Sequence, residues 1–456
     1  MRSMGHPFSW AKLFDALCLL FTRKPHDTHN FLFTLSRVFF GLKRISPTSE
    51  QSKPSNLLCS PYFADVGVIA LVPDEWEIPW QPRHHVLTRL SQYFNVVWCT
   101  PAPWWREWRN QSAPAHEHID YGTAPTAGLI VYRPERWLPE VGWPRFLTHW
   151  TRQQRLQRAK RILLNQGCRK TILYVWRPEY SWALDLIDHD LSCYHIDDEY
   201  TFSVIEKPLD ECEARLIARV DQVFIHSRAL LEKKGKLNPQ TLFVPNGVDY
   251  RAYASPQTEP ADLKPIPRPR IGYVGRIKRQ LNPSLLTALA QRHREWSFVF
   301  VGPLSSPDED AVWVRELSHM PNVYFLGGKP VGMLPAYTQH LDVCMLCYEM
   351  NDYTKFIYPL KLHEYLASGR PVVGSPIRSV EEFAHVIRLA RTPDEWSQAL
   401  NEALSPDAHT SALMEARRSV ARQHDWDRLV SRIVRLMCEG LGNEYLERFI
   451  KHLIGN

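Results

Sequence analysis

The 456-residue sequence has no apolar run long enough to cross a bilayer. A spanning helix needs about 20 apolar residues, whereas the best stretch, residues 13–21, is interrupted by Asp15. No small-residue cleavage site follows it, so no secretory signal is expected. A disulfide framework is missing too. The nine cysteines are scattered without regular spacing, which predicts free thiols in a reducing compartment. Cys344 and Cys347 are the only close pair. They fall in a stretch that reads as a buried strand, where residues three apart face opposite ways, and a zinc clip needs a second pair. The body of the chain also lacks a charge excess. Of the formal +6, residues 1–53 supply +5, with eight Lys/Arg against three Asp/Glu. A nearly neutral remainder excludes a nucleic-acid-binding body, which would carry a basic stripe of its own.

What is present is a large apolar content, 44% of residues, enough to exclude general disorder and, at this length, to suit two cores plus accessories. Residues 8–21 and 31–42 mix Phe, Leu, Val and Trp at helical spacing with Lys12, Arg37, Lys43 and Arg44. They read as amphipathic helices that lie on a membrane surface or pack on the protein itself. Residues 46–55, rich in Ser and Pro, read as a linker.

Beyond the linker, strand and helix alternate, which argues for parallel α/β sheets. Strands are expected over 66–72, 96–99, 171–175 and 222–226, with a helix over 85–93. After the proline-rich joint 264–270 a second series begins, with strands over 271–274, 298–301, 323–326, 343–347 and 371–373. Helices are expected there over 283–292, 308–319, 333–339 and 360–367. The domains are therefore expected at 1–57 (extension and linker), 58–262, 263–425 and 426–456, the last as helices broken near 440–442. Two doubly wound domains on a short linker enclose a deep cleft.

Three motifs, Phe243-Val-Pro-Asn-Gly-Val-Asp249, Gly272-Tyr-Val-Gly-Arg276 and Pro359-Leu-Lys-Leu-His-Glu-Tyr-Leu-Ala-Ser-Gly-Arg-Pro-Val-Val373, resemble the retaining GT-B glycosyltransferases of family four (group 1), notably bacterial cell-surface and exopolysaccharide enzymes. The resemblance covers about residues 66–430. It implies a GT-B fold, two Rossmann-like domains facing a central cleft, and transfer of a sugar from a nucleotide diphosphate with retention. It implies no metal and no cofactor beyond the nucleotide sugar as co-substrate. The acceptor it implies is a saccharide or a lipid-linked chain. It also implies a tail that crosses back to brace the first domain.

A nucleoside-diphosphate leaving group needs cations and helix N-termini around its phosphates. Pro359 suits a helix first turn, and Lys361 and Glu364, three apart, share one face of that helix. Lys361 is read as holding phosphate and Glu364 as holding ribose hydroxyls, against the alternative of an exposed ion pair worth about 0.3 kcal/mol. Arg276 matches the family's phosphate-contacting arginine, and Gly275, Gly302, Pro359 and Leu360 complete the expected donor contacts. The family's usual lysine is replaced by Leu281, which leaves Lys278, Lys355 or Lys361 to compensate. The first carboxylate of the family's Glu-x7-Glu motif is replaced by Phe356, for which Glu349, Asn351 or Asp352 are candidate substitutes.

In the first half, Tyr194-His-Ile-Asp-Asp-Glu-Tyr200 concentrates charge after a weak strand. Asp198 or Asp197 is read as a cleft carboxylate that orients the acceptor hydroxyl; helix capping and a metal site with His195 are the alternatives. Trp80, with Trp76, Trp104, Trp105 and Trp108, suits sugar faces or a lipid-linked acceptor at the membrane boundary, though ordinary packing also accounts for such residues. His84 and His85 read as helix-start residues, with His84 a candidate acceptor contact. The expected protein is cytoplasmic, peripheral on the inner face of the membrane through residues 8–44, and binds no nucleic acid. A sugar-nucleotide epimerase and an inactive GT-B scaffold are the alternative functions.

Overall fold

The computed structural model describes residues 60–105, 126–304 and 311–455. The amphipathic stretches within 8–44, and Trp108, lie outside them.

Two parallel sheets organise the described chain. The first holds β1 (Phe63–Leu71), β2 (Phe94–Cys99), β3 (Leu129–Tyr132), β4 (Lys170–Val175), β5 (Leu191–Ile196), β6 (Gln222–Ile225) and β7 (Thr241–Phe243), in the order β3-β2-β1-β4-β5-β6-β7. The second holds β8 (Arg270–Val274), β9 (Ser297–Val301), β10 (Val323–Phe325), β11 (Val343–Leu346), β12 (Val372–Gly374) and β13 (Arg388–Leu389), in the order β10-β9-β8-β11-β12-β13. Every pairing is parallel. With helices on both faces such strands are wholly buried, and β2, β5, β8, β9 and β11 are buried at every residue. Each sheet changes winding direction once, between β1 and β4 and between β8 and β11. Ligands of doubly wound sheets bind outside the carboxyl ends of the strands at that point.

The helix Pro283–Arg292 begins and ends where the sequence predicts, because Asn282 caps it by accepting from the amide of Leu285. The tail forms two helices, Trp426–Leu441 and Asn443–Gly455. Trp426, Leu429, Val430, Ile433, Val434 and Met437 recur at helical spacing and share one core cluster with Phe63, Val86, Leu87 and Leu90 of the first domain. The Asn-Gly of 246–247 sits at this crossover. The Val248 amide donates to the carbonyl of His424 and the Trp426 amide to the carbonyl of Val248, each at 3.0 Å, and a Cβ on Gly247 would lie 2.6 Å from the carbonyl of His424. Asn246 ties the same turn to the carbonyl of Tyr358 at 2.7 Å.

Three strands, β3, β7 and β13, escape the sequence reading, as does the 21-residue helix Arg145–Asn165. That helix buries Thr151 and Arg155 and exposes Phe146, Trp150 and Leu164, which erases the contrast that periodicity relies on. The helix that follows β11 begins at Leu360, where the sequence predicts, but Pro359 is its extended N-cap rather than a first-turn residue. Cys344 and Cys347 are free, buried thiols, and burial pushes both upward, Cys347 to about 12.

Candidate active site

The loops that leave the carboxyl ends of the strands meet across a cavity of about 340 Å³ between the two sheets. After β1 come Asp74 and Trp80, after β4 Arg177, and after β5 Asp197 and Asp198. From the other side come Gly275, Arg276 and Lys278 after β8, Gly302 after β9, Tyr348 and Tyr353 after β11, and the helix start at Pro359, Leu360, Lys361 and Glu364.

The helix Leu360–Ser368 turns Leu362 and Leu366 to the core, so its other face, with Lys361 and Glu364, looks into the cavity. Lys361 runs under the backbone of Gly275, whose φ is +141°, and a Cβ there would lie 2.6 Å from Lys361 Cε. The conformation calls for glycine, and a side chain there would displace the end of Lys361. The ammonium donates to Tyr348 Oη at 3.3 Å and lies 4.9 Å from the centre of the Tyr273 ring. Burial lowers Lys361 to about 8 against the pull of Glu364. Burial raises Glu364 to about 7, opposed by Lys361 and by Tyr253. Each is charged at the cost of desolvation, the condition in which a ligand of complementary charge gains most.

Across the cavity, Arg83 donates to Asp197 at 2.6 Å and also pairs with Asp74. Burial acts to raise Asp197, but Arg83 and Arg177 outweigh it and hold the carboxyl below its usual range. Asp198 behaves oppositely: burial, with Asp197 adding to it, raises its pKa despite Lys278 nearby. Tyr353, from the second domain, donates to the Asp198 carboxylate, 3.0 and 3.1 Å from its two oxygens. Lys278 is lowered by burial and by Lys361 and Arg276, against the pull of Asp198. Neighbouring carboxylates of unlike pKa, opposite a cluster of cations, provide one fixed charge and one group able to exchange a proton.

Residues 268–406 match the family model of glycosyl transferases group 1. Among solved structures, a glycosyltransferase from Rickettsia africae superposes with a TM-score of 0.60 at 10% identity, over 84% of this chain and 100% of that one. An α,α-trehalose-phosphate synthase (UDP-forming) from Burkholderia xenovorans, in complex with glucose-6-phosphate, superposes with a TM-score of 0.54 at 11% identity, over 81% and 99%. The fold is GT-B, and the stretch that matches the group 1 glycosyltransferase model lies in its second domain. In sequence, the chain is 28% identical over 241 residues to the Bacillus subtilis protein named as the teichuronic acid biosynthesis glycosyltransferase TuaH, over 50% of this chain. The match spans 59% of that relative's length.

Most sequence-derived candidates line the GT-B cleft: Trp80, Asp197, Asp198, Gly275, Arg276, Lys278, Gly302, Pro359, Leu360, Lys361 and Glu364. Two do not. His84 is buried, bonded to the amide of Gln81 and the carbonyl of Trp76, and burial lowers it to about 3; its neighbour His85 lines the cleft instead. Lys355 pairs with Glu206 and borders a separate surface hollow. The candidate substitutes for the missing carboxylate also turn away. Asn351 caps the amides of Tyr353 and Thr354, and Asp352 accepts from the amide of Glu206. Glu349 is absent from the cavity wall. Phe356 is 2% exposed and joins the first domain's core cluster, so the position of the family's first carboxylate has become a hydrophobic anchor between domains. Leu281 is likewise core. His195 bonds Tyr174 Oη at 2.7 Å and stacks on Trp176, which points it into the core and away from a metal site with Asp197. Among the described residues no group of three or more His, Cys, Asp or Glu is placed to hold a metal ion.

Sequence reasoning missed Arg83, Arg177 and Tyr353. Arg177 lies two residues beyond β4, a position that the strand-end rule could have flagged. The contacts of Arg83 with Asp197 and of Tyr353 with Asp198 carry no local signal, because the partners are 114 and 155 residues apart. Asp198→Asn is expected to lower sugar transfer while leaving nucleotide affinity within a few-fold. Calorimetry paired with a transfer assay checks it, and a large fall in melting temperature with transfer per folded molecule intact would instead assign Asp198 to the fold.

Proposed function

We propose that the chain moves a sugar from a nucleoside diphosphate to a saccharide or lipid-linked acceptor, with retention and without a resident metal or cofactor, in the synthesis of a bacterial surface polysaccharide. The single observation that carries this reading is the approach of the Lys361 ammonium to the backbone of Gly275, with Glu364 one turn further on the same helix face. Leaving-group charge grows on the diphosphate as the glycosidic bond stretches, and a preorganised cation there stabilises the transition state more than the ground state. Arg276 and Lys278 add positive charge, and the amides at the Leu360 helix start point the same way. Glu364 lies deep enough to accept from two ribose hydroxyls. Asp198, with its raised pKa, lines the opposite wall, and in this reading it orients the acceptor hydroxyl. The names of the B. subtilis relative and the Burkholderia synthase fit this class of reaction.

The titrations give the reading a pH signature. UDP binding needs Lys361 charged, which is lost above about pH 8, and Glu364 ionised, which is lost below about pH 7. Affinity is therefore expected to peak between the two. In Glu364→Gln, affinity should fall by about 1–3 kcal/mol, the worth of a charged hydrogen bond. Its acid limb should shrink to the ligand's own phosphate titration near about pH 6, and its alkaline limb should move to lower pH because Lys361 loses its counter-charge. Calorimetric titration of UDP from pH 6 to 9 reads all three, and a flat profile with wild-type affinity in the variant overturns the donor assignment.

Membrane contact through residues 8–44 belongs to the same proposal, on the +5 charge of residues 1–53 and their amphipathic pattern. No described helix is long and apolar enough to cross a membrane. Removing residues 1–53 is expected to release the protein from anionic vesicles in a sedimentation assay, and equal pelleting of both forms sinks the idea.

A further inference from the structure

His226 stands one residue beyond the carboxyl end of β6, where ligands of doubly wound sheets bind, and it lines the cleft while only 3% exposed. Its backbone amide and its ring Nδ1 both meet the carbonyl of Ile196, at 3.3 and 3.0 Å. A carbonyl only accepts, so Nδ1 carries the proton of the neutral ring and Nε2 carries the lone pair. Burial lowers the pKa of His226, against the pull of Asp197 and Asp198, and so keeps the ring neutral. Nε2 has no partner among the described residues and is not sealed in the core, which leaves it to the cleft. The result is a hydrogen-bond acceptor that is fixed in place and carries no charge.

Strand order says what this acceptor lies between. The first sheet runs β5-β6-β7 to its edge, so the strand ends along this wall present Asp198, then His226, then Asn246. Asn246 donates to the carbonyl of Tyr358 at 2.7 Å, and Tyr358 leads through Pro359 into the helix that carries Lys361 and Glu364. The Tyr358 ring stands 6.3 Å from the His226 ring, at 66° to it. The wall is thus continuous from the carboxylate on the acceptor side to the helix on the diphosphate side, and His226 occupies its middle. A sugar joined to the diphosphate at one end and attacked by a hydroxyl at the other must lie over that middle. Sugar hydroxyls donate, and an uncharged acceptor takes one without adding negative charge beside the phosphates. A buried group that pairs with a substrate hydroxyl also discriminates against analogues that lack it, because it is then left unpaired.

We propose that His226 Nε2 accepts a hydrogen bond from a hydroxyl of the sugar being transferred and so helps to select that sugar. The inference rests on the transfer reading above, and its test tells the two apart. Two substitutions divide the ring between them. His226→Asn keeps a donor at the place of Nδ1 and removes the acceptor, whereas His226→Gln reaches the place of Nε2 with its amide oxygen and gives up the bond to Ile196. Calorimetry on the full chain compares UDP with UDP-glucose and UDP-galactose, and GDP with GDP-mannose, and follows the nucleotide sugar that the wild type binds tightest. His226→Asn is expected to melt near the wild type, to bind the bare nucleoside diphosphate within about two-fold, and to weaken the nucleotide sugar about five- to ten-fold, as the loss of one hydrogen bond predicts. His226→Gln is expected to melt lower and to hold the nucleotide sugar within about three-fold of wild type. A ring that served only the fold gives the reverse order, with asparagine harmless and glutamine the weaker binder. The inference is overturned if His226→Asn binds the nucleotide sugar as the wild type does, if it loses the bare nucleotide to the same extent, or if His226→Gln binds the sugar less well than His226→Asn. Bare nucleotide bound by the wild type through any of these outcomes leaves the transfer reading standing. A wild type that takes none of these ligands removes the transfer reading, and this contact with it.

Discussion

Replacing Lys361 with alanine is expected to lower turnover by about 10²-fold or more, in line with the loss of one preorganised group aimed at developing charge. The geometry makes the effect specific. Lys361 is the cation threaded beneath Gly275, where no Cβ stands between ammonium and cavity. Arg276 and Lys278 line the same wall, but Lys361 is the cation seated against the Tyr273 and Tyr348 rings, 4.9 and 5.9 Å from their centres. The fold should tolerate the change, since the helix keeps Leu362 and Leu366 in the core and alanine is the best helix former. Steady-state kinetics, UDP calorimetry and a melting curve on the same preparation separate the terms. Turnover within a few-fold of wild type at unchanged stability would show that the diphosphate lies elsewhere. A surface ion pair between Lys361 and Glu364 would give less than about 1 kcal/mol of stability and no change in binding.

Phe356→Ala carries the largest expected effect on stability, about 3–5 kcal/mol, the usual cost of truncating a buried phenylalanine. Its ring lies 5.0 Å from the ammonium groups of both Lys233 and Lys355 and belongs to the first domain's core, although its loop follows β11 of the second. The loss should therefore appear as a lower denaturation midpoint, while UDP affinity per folded molecule stays near wild type because Phe356 does not line the cleft. A fall in UDP affinity with the midpoint unchanged would place this position at the donor sugar after all. Tyr353, three residues earlier and bonded to Asp198, is what this loop presents to the cavity.

Much of the fold was legible because local physics dominates it. Strands buried on both faces must be continuous apolar runs, so β8, β9 and β11 could be read directly, as could the helix that Asn282 caps. Lys361 and Glu364 were legible for a similar reason, since three residues on a helix fix a shared face and a helix that follows a strand opens at the sheet's carboxyl edge. The reading failed where exposed and buried positions carry the same residue types, as in Arg145–Asn165, and where strands run to only two or three residues, as in β7 and β13.

The sequence by itself thus determined the two parallel-sheet domains, the cleft between them and the helix that lines it, because periodicity and strand-end position are local properties of the chain. Only the tertiary structure decided that His85 rather than His84 reaches the cleft, that Lys355 is spent on Glu206, and that Arg83 and Tyr353 hold Asp197 and Asp198. Those outcomes depend on which groups meet across more than a hundred residues of chain, and a buried charge takes whichever partner the fold brings within hydrogen-bond reach.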